Sequence, residues 1–216
     1  MTFLQWLPQM LEGCLITIKL FFITIIFSMP LGLCLTFLYT SKNKAVNKVI
    51  SFYILIMRGT PLLLQIFFVY FGLPYTPVIG KYLTISDRFT AGAVAFILNY
   101  AAYFAEIFRG GLLSVDKGQY EAAKVLGLTD MQTRTHIVLP QMFRISLPAI
   151  SNEAIILIKD TALITAIGLS DLLKVTKTIV NKTTNISAFL AAAVFYLIMS
   201  YVLTIVFKLL EKKFSF

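Results

Sequence analysis

The sequence predicts an all-α integral membrane protein with about five transmembrane helices, and three observations predict it. Of its 216 residues, 58% are hydrophobic and 13% charged, with a mean hydropathy of +0.84. Soluble domains carry roughly 25% charged residues. The apolar residues fall in runs, and runs beyond about 18 residues have the length of a bilayer crossing. Lys and Arg concentrate in alternate connecting segments, which is the asymmetry that orients membrane helices.

The five expected spans cover residues 14–39, 50–72, 89–108, 145–167 and 186–210, in a single domain over 1–216. No Lys or Arg precedes the first, and its apolar run is too long for a signal-peptide core, so it is expected to persist as a helix. The second is expected to break at Gly59-Thr60-Pro61, where Thr60 reads as a helix N-cap and Pro61 as the first helical residue. The third carries Asn99, Tyr103 and Glu106, and the fourth Glu153 and Asp160. Residues 170–185 are too polar to form a further crossing.

Lys42, Lys44, Lys48, Arg109, Lys117, Lys124, Arg134, Arg144, Lys208, Lys212 and Lys213 fall on one side of these spans. The smaller set of Lys81, Arg88, Lys174, Lys177 and Lys182 falls on the other. The N-terminus is therefore expected outside and the C-terminus in the cytoplasm of a multi-pass cell-membrane protein. The net charge of +9 serves this topology, and with no separate basic domain to hold it the sequence argues against a nucleic-acid partner. Cys14 and Cys34 sit on one predicted helix about 30 Å apart, beyond disulfide reach. His136 is the sole histidine, which excludes a histidine-based metal cluster within the chain. No nucleophile–base set points to an enzyme. No phosphate-binding loop is present, so any ATP must be bound by another chain.

The segment 109–144 is too long for a plain helix connection. A first short helix is expected over 119–126, ended by Gly127. Thr129 and Gln132 form a capping-box pattern that starts a second, which is expected to stop near Val138 because Pro140 follows. Ala122 and Ala123 beside Glu121, then Gly127, are expected to present a small-residue surface to a partner; a helix pair lying on lipid is the alternative.

Glu121-Ala122-Ala123, Gly127, Ile137 and Leu139-Pro140 match the EAA signature of ABC importer permeases. The stretches Arg58-Gly59-Thr60-Pro61-Leu62-Leu63-Leu64-Gln65, Phe108-Arg109-Gly110-Gly111, Lys117-Gly118-Gln119-Tyr120, Leu139-Pro140-Gln141 and Leu157-Ile158-Lys159-Asp160-Thr161 resemble the polar amino-acid branch of that family. The resemblance runs over residues 10–212, with one departure at Asp116, where the family often has proline. It implies a type I ABC importer permease with a coupling helix in the loop over 109–144. It also implies cytoplasmic ATPase subunits that bind ATP and Mg, an extracytoplasmic amino-acid-binding protein, and a second permease subunit. A homodimer is the expectation, a heterodimer the alternative. The chain itself is expected to hold no cofactor and to move solute by alternating access.

An ionisable residue inside a span costs roughly 2.5–3.5 kcal/mol on insertion scales and calls for an explanation. Glu153 and Asp160 are two turns apart on one helix face, about 10 Å along it. Glu106 and Arg109 at i, i+3 suit a structural ion pair. The expected solute site is Glu153, Asp160, Asn99, Gln65 and Thr60, with a helix N-terminus after Thr60 available to a carboxylate. Two carboxylates favour a basic amino acid such as arginine, lysine or histidine; glutamine or another neutral polar amino acid is the alternative. From a different class, a proton-coupled secondary transporter would use Glu106, Glu153 and Asp160 as a relay.

Overall fold

The first predicted span becomes a far longer rod. In the computed structural model, which describes residues 3–41, 43–77 and 80–214 and no side chain at 3, 4 and 81, α1 runs Phe3–Tyr39. Lys42 and the side chain of Lys81, both used for orientation, lie outside the described residues. At 37 residues α1 is about 55 Å long, well beyond the roughly 30 Å of a hydrocarbon core. After it come α2 (Lys44–Gly59), α3 (Leu62–Phe67, continued by a π turn over Phe68–Gly72), α4 (Gly80–Leu83) and α5 (Arg88–Leu113). The chain ends with α6 (Lys117–Val125), α7 (Asp130–Gln132), α8 (Leu139–Asp160), α9 (Leu172–Thr183) and α10 (Ser187–Phe214). No strand occurs among the described residues.

Helices α1, α5 and α10 are long and apolar enough to cross a membrane; α2 and the segment Leu62–Tyr75 are so only as a pair bent by 106°, the geometry of a broken span or of a re-entrant loop. Helix α8 has the length, at 22 residues, but bears Arg144, Glu153, Lys159 and Asp160. Helix α9 has 12 residues, about 18 Å, too short to cross, as the polarity of 170–185 predicts.

Helix α5 is the centre of the bundle. Lipid supplies no hydrophobic drive between spans, so close packing of small residues holds them together. Gly32 of α1 shows how close: a Cβ there would lie 2.7 Å from the Phe104 Cβ. Farther along, the Thr36 hydroxyl is 2.9 Å from the Ala105 carbonyl. Gly111 likewise meets α8, where a Cβ would fall 2.9 Å from the Met142 carbonyl. Phe96, Tyr100, Phe104 and Phe108 fill the same core and are wholly buried.

Asp87 caps α5, accepting from the Thr90 amide and hydroxyl. Those hydrogen bonds hold its carboxyl below the usual range. A depressed value means the cap contributes fully above the ordinary carboxylate pKa and is lost as pH falls through the lowered one. Asp171 caps α9, accepts from the Thr165 hydroxyl and is fully buried. Trp6, Met10 and Cys14 of α1 pack beside it against Leu172, Ile179 and Ala192. We expect Asp171→Ala to cost about 1–2 kcal/mol, since it removes the cap and strands the Thr165 hydroxyl. Thermal unfolding in detergent would register this.

Two expectations of the second span and the loop are corrected. Thr60 is not the N-cap of a new helix: its amide and hydroxyl fold back to the Ile56 carbonyl and close α2, and Pro61 stands at the cap of α3. A β-region Thr60 suits the residue before proline, and its hydroxyl is better placed for the orphan carbonyl behind it. The second loop helix also does not stop before Pro140. It passes through a π turn, Thr133–Val138, straight into α8, with the Leu139 amide donating to the Arg134 carbonyl. The wider turn absorbs the missing proline donor, which in an α register would have broken the rod.

Candidate functional site

The break between α2 and α3 exposes main-chain groups in the middle of a span, where each must find a partner. Gln65 and Asn99 supply them. The Gln65 amide nitrogen donates to the Met57 carbonyl at 2.9 Å and to the Thr60 hydroxyl at 2.8 Å. The Asn99 amide nitrogen donates to the same Met57 carbonyl at 2.8 Å and to the Gln65 side-chain oxygen at 3.0 Å. These two side chains thus splint the bend and tie it to α5. We expect Asn99→Leu to cost about 1–3 kcal/mol, by unpairing groups that are hard to re-satisfy in a span, and to lower the thermal unfolding midpoint.

Around this bend lies a cavity of about 550 Å³. It is lined by Arg58, Thr60, Asn99 and Tyr103 on one side and by Glu153 and Asp160 on the other. The two-turn spacing thus does bring both α8 carboxylates to one space. Lys159 is exposed and absent from the lining, as its angular position predicts. Gln65 is not part of this lining; it faces a separate, largely apolar cavity.

Two contributors were not among the expected solute-site residues. Tyr100, wholly buried on α5, donates its hydroxyl to Asp160 at 2.8 Å and fixes that carboxylate. Arg58 places a guanidinium at the mouth of the cavity, 5.3 Å over the Tyr103 ring and 3.7 Å from Glu106. Its only sequence signal was the cost of a charge inside a span. Glu106 makes its closer pair with Arg109, at 2.7 Å, as the i, i+3 spacing predicts. It lies outside the lining of the cavity but ties the far end of α5 to it through Arg58.

The loop carries the second surface. Helix α6 ends in a Schellman cap: the Leu128 amide donates to the Ala123 carbonyl, and Gly127 takes φ +73°. Thr129 and Gln132 form the expected capping box. Glu121, Ala122 and Gly127 are exposed, but Ala123 is 1% exposed. The expected exposure of Ala123 is corrected: it lies on the side of α6 facing the π turn, where Thr133 and Val138 are also buried. Val125, Leu126 and Met131 are 87%, 75% and 70% exposed and give this polar loop an apolar face.

Residues 28–216 match the family described as "Binding-protein-dependent transport system inner membrane component". The arginine transport system permease ArtQ of Bacillus subtilis is 38% identical over 208 residues, covering 96% of this chain and 93% of that protein. The glutamine transport system permease GlnP of Escherichia coli is 36% identical over 208 residues, covering 96% and 93%. A crystal structure of an amino acid ABC transporter with histidines superposes with a TM-score of 0.88, at 32% identity, over 97% of this chain and 96% of the other. The family accounts for the loop signature and sets aside the proton-coupled carrier. A two-helix polar loop, a sharply bent second apolar segment and a charged cavity thus meet in one helical chain, which belongs to the inner-membrane components of binding-protein-dependent transport systems and is the permease subunit, not the ATPase, of an amino-acid ABC importer.

Proposed function

We propose that the cargo is an amino acid with a basic side chain. The observation that carries this is the charge inventory of the cavity: two carboxylates, Glu153 and Asp160, and one guanidinium, Arg58. Arginine or lysine presents the mirror set, two cations and one carboxylate. A neutral amino acid leaves one cavity carboxylate unmatched, which is costly away from water. Glu153 and Asp160 take the side-chain cation and the α-ammonium, Arg58 takes the α-carboxylate, and Thr60 and Asn99 border the site. Gln65 serves by holding the bend rather than by touching solute. The relatives named for arginine and for glutamine differ in cargo, so family alone does not decide between them.

The chain works beside a second permease subunit, in a homodimer, with its N-terminus outside. ATP and Mg belong to cytoplasmic ATPase subunits, which grip α6 through Glu121, Ala122 and the turn at Gly127, while Ala123 seats that helix from behind. An extracytoplasmic binding protein delivers the solute. Titration calorimetry of the purified transporter complex tests the cargo. Arginine and lysine should bind at least about tenfold tighter than glutamine, the worth of one charge-assisted contact. Equal affinity for glutamine would overturn the basic class and leave the family untouched.

A further inference from the structure

Arg58 lines the solute cavity together with Glu153 and Asp160, yet no ion pair joins it to either carboxylate. A cation and two anions sharing a cavity inside a span attract strongly, so something must hold them apart. The holder is on α5, where Tyr103, Glu106 and Arg109 follow at three-residue steps and each side chain neighbours the next. Arg58 rests its guanidinium 5.3 Å over the Tyr103 ring and 3.7 Å from Glu106. Glu106 is itself fixed, because the Arg109 guanidinium donates to both of its oxygens, at 3.2 and 2.7 Å. At 3.7 Å the Arg58–Glu106 pair is charge attraction without a hydrogen bond. Arg58 makes no hydrogen bond among the described residues, so its five N–H donors stay available to a solute.

We infer that Glu106 is a positioning residue of the solute site. It holds Arg58 against α5, so that the guanidinium meets the solute carboxylate while Glu153 and Asp160 stay open to the solute's cations. Without Glu106, Arg58 has the cavity's own carboxylates to turn to, and pairing with Glu153 would cancel the charge that selects a basic solute. Anchoring the end of α5 needs only Arg109. Nor is the pair needed to tie α2 to α5, since Asn99 and Tyr53 already do so through hydrogen bonds at 2.8 and 2.6 Å. This role rests on the contact proposed for Arg58 with the solute's α-carboxylate.

The test is a double-mutant cycle in arginine affinity, measured by titration calorimetry on the purified transporter complex. Arg58→Gln should weaken arginine binding about tenfold or more, as loss of one charge-assisted contact. Glu106→Gln should weaken it about three- to tenfold, the range for setting free one long side chain. The two together should bind arginine no more weakly than Arg58→Gln alone, because Glu106 acts through Arg58. Additive losses would assign Glu106 to the structure of α5 through Arg109. Unchanged or tighter binding in Glu106→Gln would make it a bystander or a competitor of the solute; each of these results overturns the inference and leaves Arg58 in the site. Unchanged binding in Arg58→Gln overturns it too, and removes Arg58 from the site as well. Glu106→Asp keeps the charge beside Arg109 and draws it back from Arg58, so the same cycle run with it decides the matter where the glutamine variant does not fold.

Discussion

Glu153→Gln should lower arginine uptake by about one to two orders of magnitude at limiting solute, chiefly through KM. The change keeps the shape of the side chain and removes one charge-assisted contact, worth about 1.5–3 kcal/mol. Because Glu153 is half-buried on α8 and faces the cavity rather than a structural partner, the variant should fold and reach the membrane normally. Reconstituted vesicles containing the ATPase and binding protein, assayed with arginine and with glutamine, give the comparison. Arginine uptake should fall far more than glutamine uptake. Unchanged arginine transport would remove Glu153 from the site. An equal fall for both solutes would reduce its role to the α-ammonium that every amino acid shares.

Gly127→Val should abolish most transport while sparing folding of the bundle. Gly127 sits at φ +73° with nothing within 4 Å of the position a Cβ would take, so the cost comes from the backbone and not from a clash within the chain. A left-handed β-branched residue costs at least about 1–2 kcal/mol, enough to unwind the Schellman cap and displace Leu126 and Leu128 from their places. ATP hydrolysis should persist and lose its stimulation by loaded binding protein. Gly127→Asn separates the two possible causes, because asparagine tolerates this conformation and still adds bulk. Coupling kept in Asn and lost in Val assigns the effect to the cap; loss in both assigns it to a surface that admits no side chain. Normal coupling in Val would show that α6 is not the docking element.

What was legible in the sequence was whatever depends on one element at a time. Hydropathy located α1, α5 and α10, and charge spacing on α8 placed Glu153 and Asp160 on one face. The glycine marked the end of α6, and the Thr129–Gln132 pair the start of α7, to within two residues. What failed depended on a partner. Ala123 and Ala122 look alike in sequence, and only the packing of α6 on the π turn buries one of them. The splint at Met57 joins side chains 34 positions apart, so neither Gln65 nor Asn99 announces it. Pro140 reads as a stop because the rule assumes an α register, and the chain avoids it by widening the turn. Arg58 was visible as a charge in a span, but its position beside Tyr103 and the two carboxylates needed the fold.

That widened turn has a mechanical consequence. Because the helical path runs from Asp130 through the π turn and Pro140 to Asp160, the end of the loop and the α8 carboxylates ride on one arm. From Leu139 to Glu153 the arm is about 21 Å, so a tilt of about 10° at its base sweeps the Glu153 carboxylate through about 4 Å. That stroke exceeds the reach of a hydrogen bond. A push on the Thr129 end of this arm would therefore move the two carboxylates, with give where Pro148 removes a hydrogen bond from α8.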